Sequence, residues 1–306
     1  MPFDLYFASS GNKDMELLLE KKHCNRLFTQ LEKSSIKRCI EMKTRRNPSK
    51  LFIDSGAFTS WTKGISVDVD GYIDYINNLD DKITICAQVD CIPGTFGRVR
   101  TQKEIEESPI KSWENYLYMK DKLKSRDKLI PIFHQEESFE HLKKMLEYRH
   151  SDGTPIAYIG ISPSNDRSQA DKEDFIARSF YIIKHSSNPN VKTHAFGMTN
   201  LSILERYPYT SADSTSWKMF AAFGSIMTRF GTIVISSEQL KDKKHIEYMP
   251  STVKEYVKSE CLKYGIDYDM LYTDFGTRAK FNINYLKDWA DNYEYKPVTV
   301  HKKSLF

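Results

Sequence analysis

Three apolar runs in the chain end on an aspartate: Leu51-Phe-Ile-Asp54, Ile83-Thr-Ile-Cys-Ala-Gln-Val-Asp90 and Tyr209-Thr-Ser-Ala-Asp213. Runs of this length bounded by turn residues read as buried strands. A carboxylate at the exit of a buried strand is costly unless it is paired or functional. One such aspartate is explained as the N-cap of the next helix. Three, with His134, Ser162 and His194 at the ends of other runs, point to one site assembled from many strands. Two strand-end carboxylates across a cavity permit double displacement at an anomeric carbon, one attacking and the other protonating the leaving group. A third can accept the adjacent N1–H and N2–H donors of a guanine-type ring, whose O6 needs a donor such as a backbone N–H or a histidine. Gly56, Gly160 and Gly197 beside these positions let backbone amides approach a flat ring. On spacing alone, a purine-handling glycosyl site is one reading among several. Against it stand helix capping by Asp213, turn formation by Asp54 or by Asp90 before Cys-Ile-Pro-Gly, a loop cap at Ser162, and core histidines at 134 and 194.

The elements that must carry these residues alternate along the chain. Strands are expected at Phe3–Ala8, Leu51–Ile53, Ile83–Val89, Leu129–Phe133, Ile156–Ile161, Val191–Phe196, Thr210–Ala212 and Thr232–Ile235. Helical patterns fall between them, at Asp14–Lys22, Val69–Leu79, Ile110–Lys124, Phe139–Tyr148, Lys172–Lys184 (capped by Asp171), Leu201–Arg206 and Trp217–Phe223. Further helices, Thr252–Tyr264 and Phe281–Tyr293, follow a basic stretch at Lys241–Lys244. Eight β runs, each followed by a helix, are the count of a (β/α)8 barrel. A doubly wound open sheet is the alternative, but it would place its site at one switch point. The reading is therefore an α/β (β/α)8 TIM barrel in a single domain over 1–306, with the barrel core at about 1–236 and a C-terminal helical extension over 237–306 packed on it.

Composition narrows the class. Hydrophobic residues make up 40% and charged residues 28%, ordinary values for a globular chain. The net charge of +4 is too small to demand a polyanion partner. Charge is uneven, however: Lys33 to Lys50 holds seven basic residues against one acid, Glu41. Five cysteines without paired spacing suit a reducing cytoplasm. No signal-like segment and no run of 18 apolar residues is present, so the expected location is cytoplasmic, without a membrane span. Trp61 and Trp217, just past the site runs, are either stacking surfaces or core.

Leu51-Phe-Ile-Asp-Ser-Gly-Ala-Phe58 resembles the Asp-Ser-Gly-Gly-Phe signature of the tRNA-guanine transglycosylase superfamily. Val89-Asp90, Pro131-Ile-Phe-His134, Ile159-Gly-Ile-Ser162, His194-Ala-Phe-Gly-Met-Thr199 and Ala212-Asp-Ser-Thr-Ser-Trp217 follow in the family's order, spanning residues 3–293. The resemblance implies a (β/α)8 barrel and exchange of guanine for a 7-deazaguanine base. It makes Asp213 the nucleophile on C1′ and Asp54 the acid/base that also contacts the base. It gives Asp90 the N1/N2 edge, places His134 where the tRNA enzymes usually have glutamine, with Gln135 as the alternative, and has Gly160 offer its amide to O6. Ser55, Gly56, Ser162, His194 and Gly197 complete the base-binding set. Arg45, Arg46, Arg98 and Arg100 are assigned to the nucleic-acid backbone.

The chain departs from the family in two places. The second glycine of the signature is Ala57, and no cysteine-rich zinc motif lies near the C-terminus, so neither metal nor cofactor is expected. The Asp213–Trp217 segment is most similar to the phage and bacterial branch that places a 7-deazaguanine such as preQ0 into DNA. The partners implied are DNA in preference to tRNA and a 7-deazaguanine co-substrate, with a homodimer or accessory protein left open. The alternatives are a tRNA enzyme of the same chemistry, an inactive barrel that binds nucleic acid, and a barrel glycoside hydrolase.

Overall fold

In a strand, successive side chains point to opposite faces, and these strands sort into two apolar sets. Tyr6, Ala8, Leu27, Phe52, Ile85, Ala87, Ile130 and Ile132 pack together on the inside. Their neighbours Leu5, Phe7, Phe28, Ile53, Cys86 and Phe133 pack outward with helix residues such as Met15, Leu19, Ile36 and Tyr72. A sheet apolar on both faces and covered by helices is the signature of parallel α/β architecture. The computed structural model describes residues 3–43, 49–164, 166–198 and 200–297.

The strands are β1 (Asp4–Ala8), β2 (Asn25–Thr29), β3 (Leu51–Asp54), β4 (Ile85–Ala87), β5 (Leu129–Ile130), β6 (Ile132–His134), β7 (Tyr158–Ser162), β8 (Lys192–Ala195) and β9 (Ser211–Ser214). All pair in parallel, in the order β5-β4-β3-β2-β1-β9-β8-β7-β6. β5 and β6 are one stave divided by Pro131, which has no N–H to give the ladder. The ladder closes around it: Gln88 N–H donates to the Ile130 carbonyl at 3.1 Å, and Gly160 N–H to the Pro131 carbonyl at 2.8 Å. The sheet's two ends thus meet in one stave, and the fold is a TIM-like (β/α)8 barrel with C-terminal helices packed on it.

The eight staves differ from those read in the sequence at one position. The second stave is β2, absent from the sequence list. Thr232–Ile235, counted there as the eighth, instead contributes to an antiparallel hairpin of β10 (Ser225–Thr228) and β11 (Gly231–Val234) outside the barrel. β2 is masked by Arg26, which is buried. Its guanidinium holds Glu16 at 2.6 Å and the carbonyls of Ser9 and Phe7 at 2.9 and 3.3 Å, so the charge is paired where a strand would otherwise exclude it. Lys33–Lys43, in the basic stretch, forms the helix between β2 and β3, with Ile36 and Cys39 buried.

Helix limits differ for local reasons. The helix Gln169–Lys184 is capped by Ser168, whose Oγ accepts from Asp171 N–H at 3.1 Å; Asp171 itself lies in the first turn. The helix Gln102–Lys122 begins ahead of Pro109, on a Thr101/Glu104 capping box. The last helix, Phe275–Asp291, inserts Ala279, Ile283 and Leu286 into the barrel's outer core. Its Phe281 packs with Ile226, Ile233 and Val257 on the hairpin side.

Candidate active site

Strand parity aims the site. Asp54, His134, Ser162 and Asp213 are terminal or near-terminal residues in register with the inward set: Asp54 follows Phe52 by two, His134 follows Ile132 by two, and Asp213 pairs with Tyr6. They open into a cavity of about 830 Å³ at the strands' C-terminal ends, lined also by Ser55, Asp90 and Gly197. This is the end at which barrel enzymes place their chemistry.

Asp54 closes β3, and its Oδ2 accepts the Gly56 N–H at 3.0 Å. Gly56 makes that turn with φ +73°, a conformation that costs a residue bearing a Cβ. Burial raises the Asp54 carboxyl to about 7; the Gly56 bond opposes this, and the nearby Asp90 and Asp213 charges add to it. Asp54 is therefore protonated far more readily near neutral pH than an ordinary carboxyl.

Asp213 is buried at the end of β9, with Oδ1 accepting the Gly197 N–H at 2.8 Å and facing His194 Nε2 at 3.3 Å. Gly197 adopts φ +58° to turn its amide inward. His194 is fully buried between Tyr6, Phe52 and Phe196. Its Nδ1 meets Ser211 Oγ at 2.5 Å, and that hydroxyl meets Tyr158 OH at 2.5 Å. In a neutral ring, donation from Nε2 to the carboxylate leaves Nδ1 to accept from the Ser211 hydroxyl, whose oxygen can accept from Tyr158. The chain of donors fixes Asp213 Oδ1 and leaves Oδ2 without a hydrogen bond among the described residues.

Asp90 and His134 form a second pair. Asp90 Oδ1 accepts from Gln88 Nε2 at 2.7 Å, and Oδ2 lies 3.4 Å from His134 Nε2. His134 Nδ1 meets Glu137 Oε1 at 2.9 Å. Burial works against charge on the ring, but Asp90 and Glu137 outweigh it and hold the imidazole protonated well above its usual range. Both ring N–H groups are thus taken by carboxylates, so His134 presents an oriented Asp90 rather than a free donor.

The remaining residues divide plainly. Ser55 and Ser162 line the cavity. Gly160 does not: its N–H is taken by Pro131, and a Cβ there would fall 2.4 Å from Phe196 Cε2. It supplies room for the Phe196 ring rather than an amide for O6. Arg100 lines the rim, bonded to Glu136 at 2.7 Å, while the exposed Arg98 pairs with Glu104. Arg45 and Arg46 lie outside the described residues. Trp61 is at the rim, its Nε1–H fixed on the Gly94 carbonyl at 2.8 Å. Trp217 is core, its Nε1–H on the Ala8 carbonyl at 3.0 Å. Lys241–Lys244 do not line the cavity.

Sequence reading missed Glu137, Gln88, Ser211, Tyr158 and Phe196. Parity marks three of them: Ser211 lies two before Asp213, Tyr158 two before Gly160, and Phe196 two after His194. Glu137 is placed by a tight turn after β6, in which its N–H bonds the His134 carbonyl at 3.1 Å. Among the described residues no three His, Cys, Asp or Glu side chains are arranged to hold a metal ion, and no helix is long and apolar enough to cross a membrane. Compared with known proteins, the chain matches no protein-family model and no curated protein.

Proposed function

We propose that the protein exchanges guanine in nucleic acid for a 7-deazaguanine base such as preQ0, by double displacement through a glycosyl ester on Asp213. The observation that carries this reading is one cavity in which Asp213 has Oδ1 fixed by Gly197 and His194, and Oδ2 without a hydrogen bond among the described residues, beside Asp54, an acid poised near 7. A nucleophile needs the charged form and a proton donor needs the neutral one, and burial favours the neutral form at Asp54.

Asp213 Oδ2 attacks C1′; the C1′–N9 bond breaks, its electron pair leaves with guanine, and the Asp54 proton goes to N9. The incoming base then attacks C1′ through N9. The ester C1′–O bond breaks back to Asp213, and the N9 proton passes to Asp54. Asp90, held by His134 and Gln88, faces the cavity with lone pairs for the N1–H and N2–H edge. DNA is preferred to tRNA on the likeness of the Asp213–Trp217 segment to the DNA-modifying branch.

The test is nucleoside mass spectrometry after incubating purified protein with preQ0 and either duplex DNA, single-stranded DNA or tRNA. A 7-deazaguanosine product in DNA supports the reading, and product in tRNA alone moves the substrate to RNA. No product in any of the three sinks the exchange reading.

A further inference from the structure

A second cavity of about 840 Å³ lies beside the catalytic one, and Trp61, Phe96 and Arg100 line both. A free base needs only the first, whose volume already matches a small-molecule pocket. Flat groups mark the second. Phe96, 57% exposed, meets Trp61 edge-on at 5.3 Å, and Trp61 also carries the Arg100 guanidinium 5.4 Å from its ring centre. Farther along the groove, the exposed Arg178 guanidinium lies 4.4 Å over the Phe139 ring. Exposed aromatic faces and ring-stacked guanidinium planes are the surfaces on which nucleobases stack. Net charge is not the feature here, because the groove's four arginines are matched by four carboxylates. Glu136 alone bridges Arg100 and Arg167, at 2.7 and 3.5 Å.

We propose that this groove holds the unpaired nucleotides next to the exchanged one, gripping their bases by stacking on Phe96 and on the Arg178–Phe139 pair. The inference rests on the base-exchange reading and deepens it. The substrate is a strand locally freed from its duplex, as chemistry at C1′ requires, and it is recognised beyond the target nucleotide.

The experiment measures exchange of labelled guanine into a single-stranded oligodeoxynucleotide of about 12 residues by the full chain, with Phe96→Ala and, separately, Arg178→Ala. Each variant should raise KM about tenfold with kcat unchanged, the mark of lost binding outside the reacting centre. Raising salt from about 50 to 200 mM should cost wild type less than about tenfold in affinity, against the 10³ or more of a phosphate-gripping surface. Wild-type exchange with both variants inside twofold of its KM overturns the groove while leaving base exchange standing. Absence of exchange by wild type on any nucleic acid removes the base-exchange reading and the groove with it.

Discussion

At the level of single residues, the environment of Asp54 sets a pH dependence that its identity alone does not. Its carboxyl is raised to about 7, so folding binds a proton that the unfolded chain releases near 4. That contribution to stability is present below the unfolded value and is lost as pH rises through about 7. Asp54→Asn should therefore be more stable than wild type at pH above 7, by up to about 4 kcal/mol, with the gain shrinking toward acid pH; denaturant melts across pH measure it. The same variant should lose exchange. In wild type, kcat/KM for the nucleic acid should fall as pH rises through about 7, because the proton for N9 is then gone. A flat profile would mean that Asp54 is not the acid.

His134 behaves in the opposite electrostatic sense to a free base-binding donor. Its folded value lies well above 6.5, so its clamp on Asp90 and Glu137 stabilises fully below the unfolded value and fades only as pH rises through the folded one. His134→Gln should cost about 2 kcal/mol near neutrality, and the loss should narrow at alkaline pH. Equal loss at every pH would show that the ring's charge plays no part. Asp54, Asp90 and Asp213 were legible in the sequence because a strand-end carboxylate is conspicuous. The clamp was not, since Glu137 reaches His134 through a turn that no periodicity encodes.

Among the elements, the barrel's interior was readable wherever strands are apolar and opaque where a charge is paired inside. β1, β3, β5 with β6, β7 and β8 announce themselves by branched and aromatic runs. β2 hides behind Arg26, whose partner Glu16 lies on a different element. Thr232–Ile235 has strand composition but pairs in a hairpin, a choice made by the turn at Arg229–Phe230 and not by propensity. Gly160 shows how one element makes room for the next. Its missing Cβ admits the Phe196 ring that lines the cavity. Gly160→Ala should displace that ring, destabilise by about 1–3 kcal/mol and raise KM for the incoming base. A variant with native melting temperature and native KM would remove Phe196 from the site.

For the whole molecule, the C-terminal extension is welded to the barrel. Besides its apolar contribution, the helix Phe275–Asp291 satisfies buried backbone through Asn282, which bonds Met227 N–H at 2.7 Å and the Trp217 carbonyl at 3.2 Å. Trp289 packs on Phe3, the residue just before β1, at 5.4 Å. Ending the chain at Asp274 should leave no cooperatively folded barrel by calorimetry. A native-like transition in the shortened chain would show that the barrel stands alone.

The central claim is that Asp213 forms a bond to C1′. Wild-type protein mixed in excess with a guanine-containing oligonucleotide, without added base, and resolved under denaturing conditions should yield a covalent protein–nucleic acid species mapped to Asp213 by peptide mass spectrometry. It should disappear on adding preQ0 and be absent from Asp213→Asn, which keeps the shape and the Gly197 hydrogen bond but not the charge. Exchange of labelled guanine by Asp213→Asn at a near-wild-type rate, with no adduct in either protein, would contradict the account.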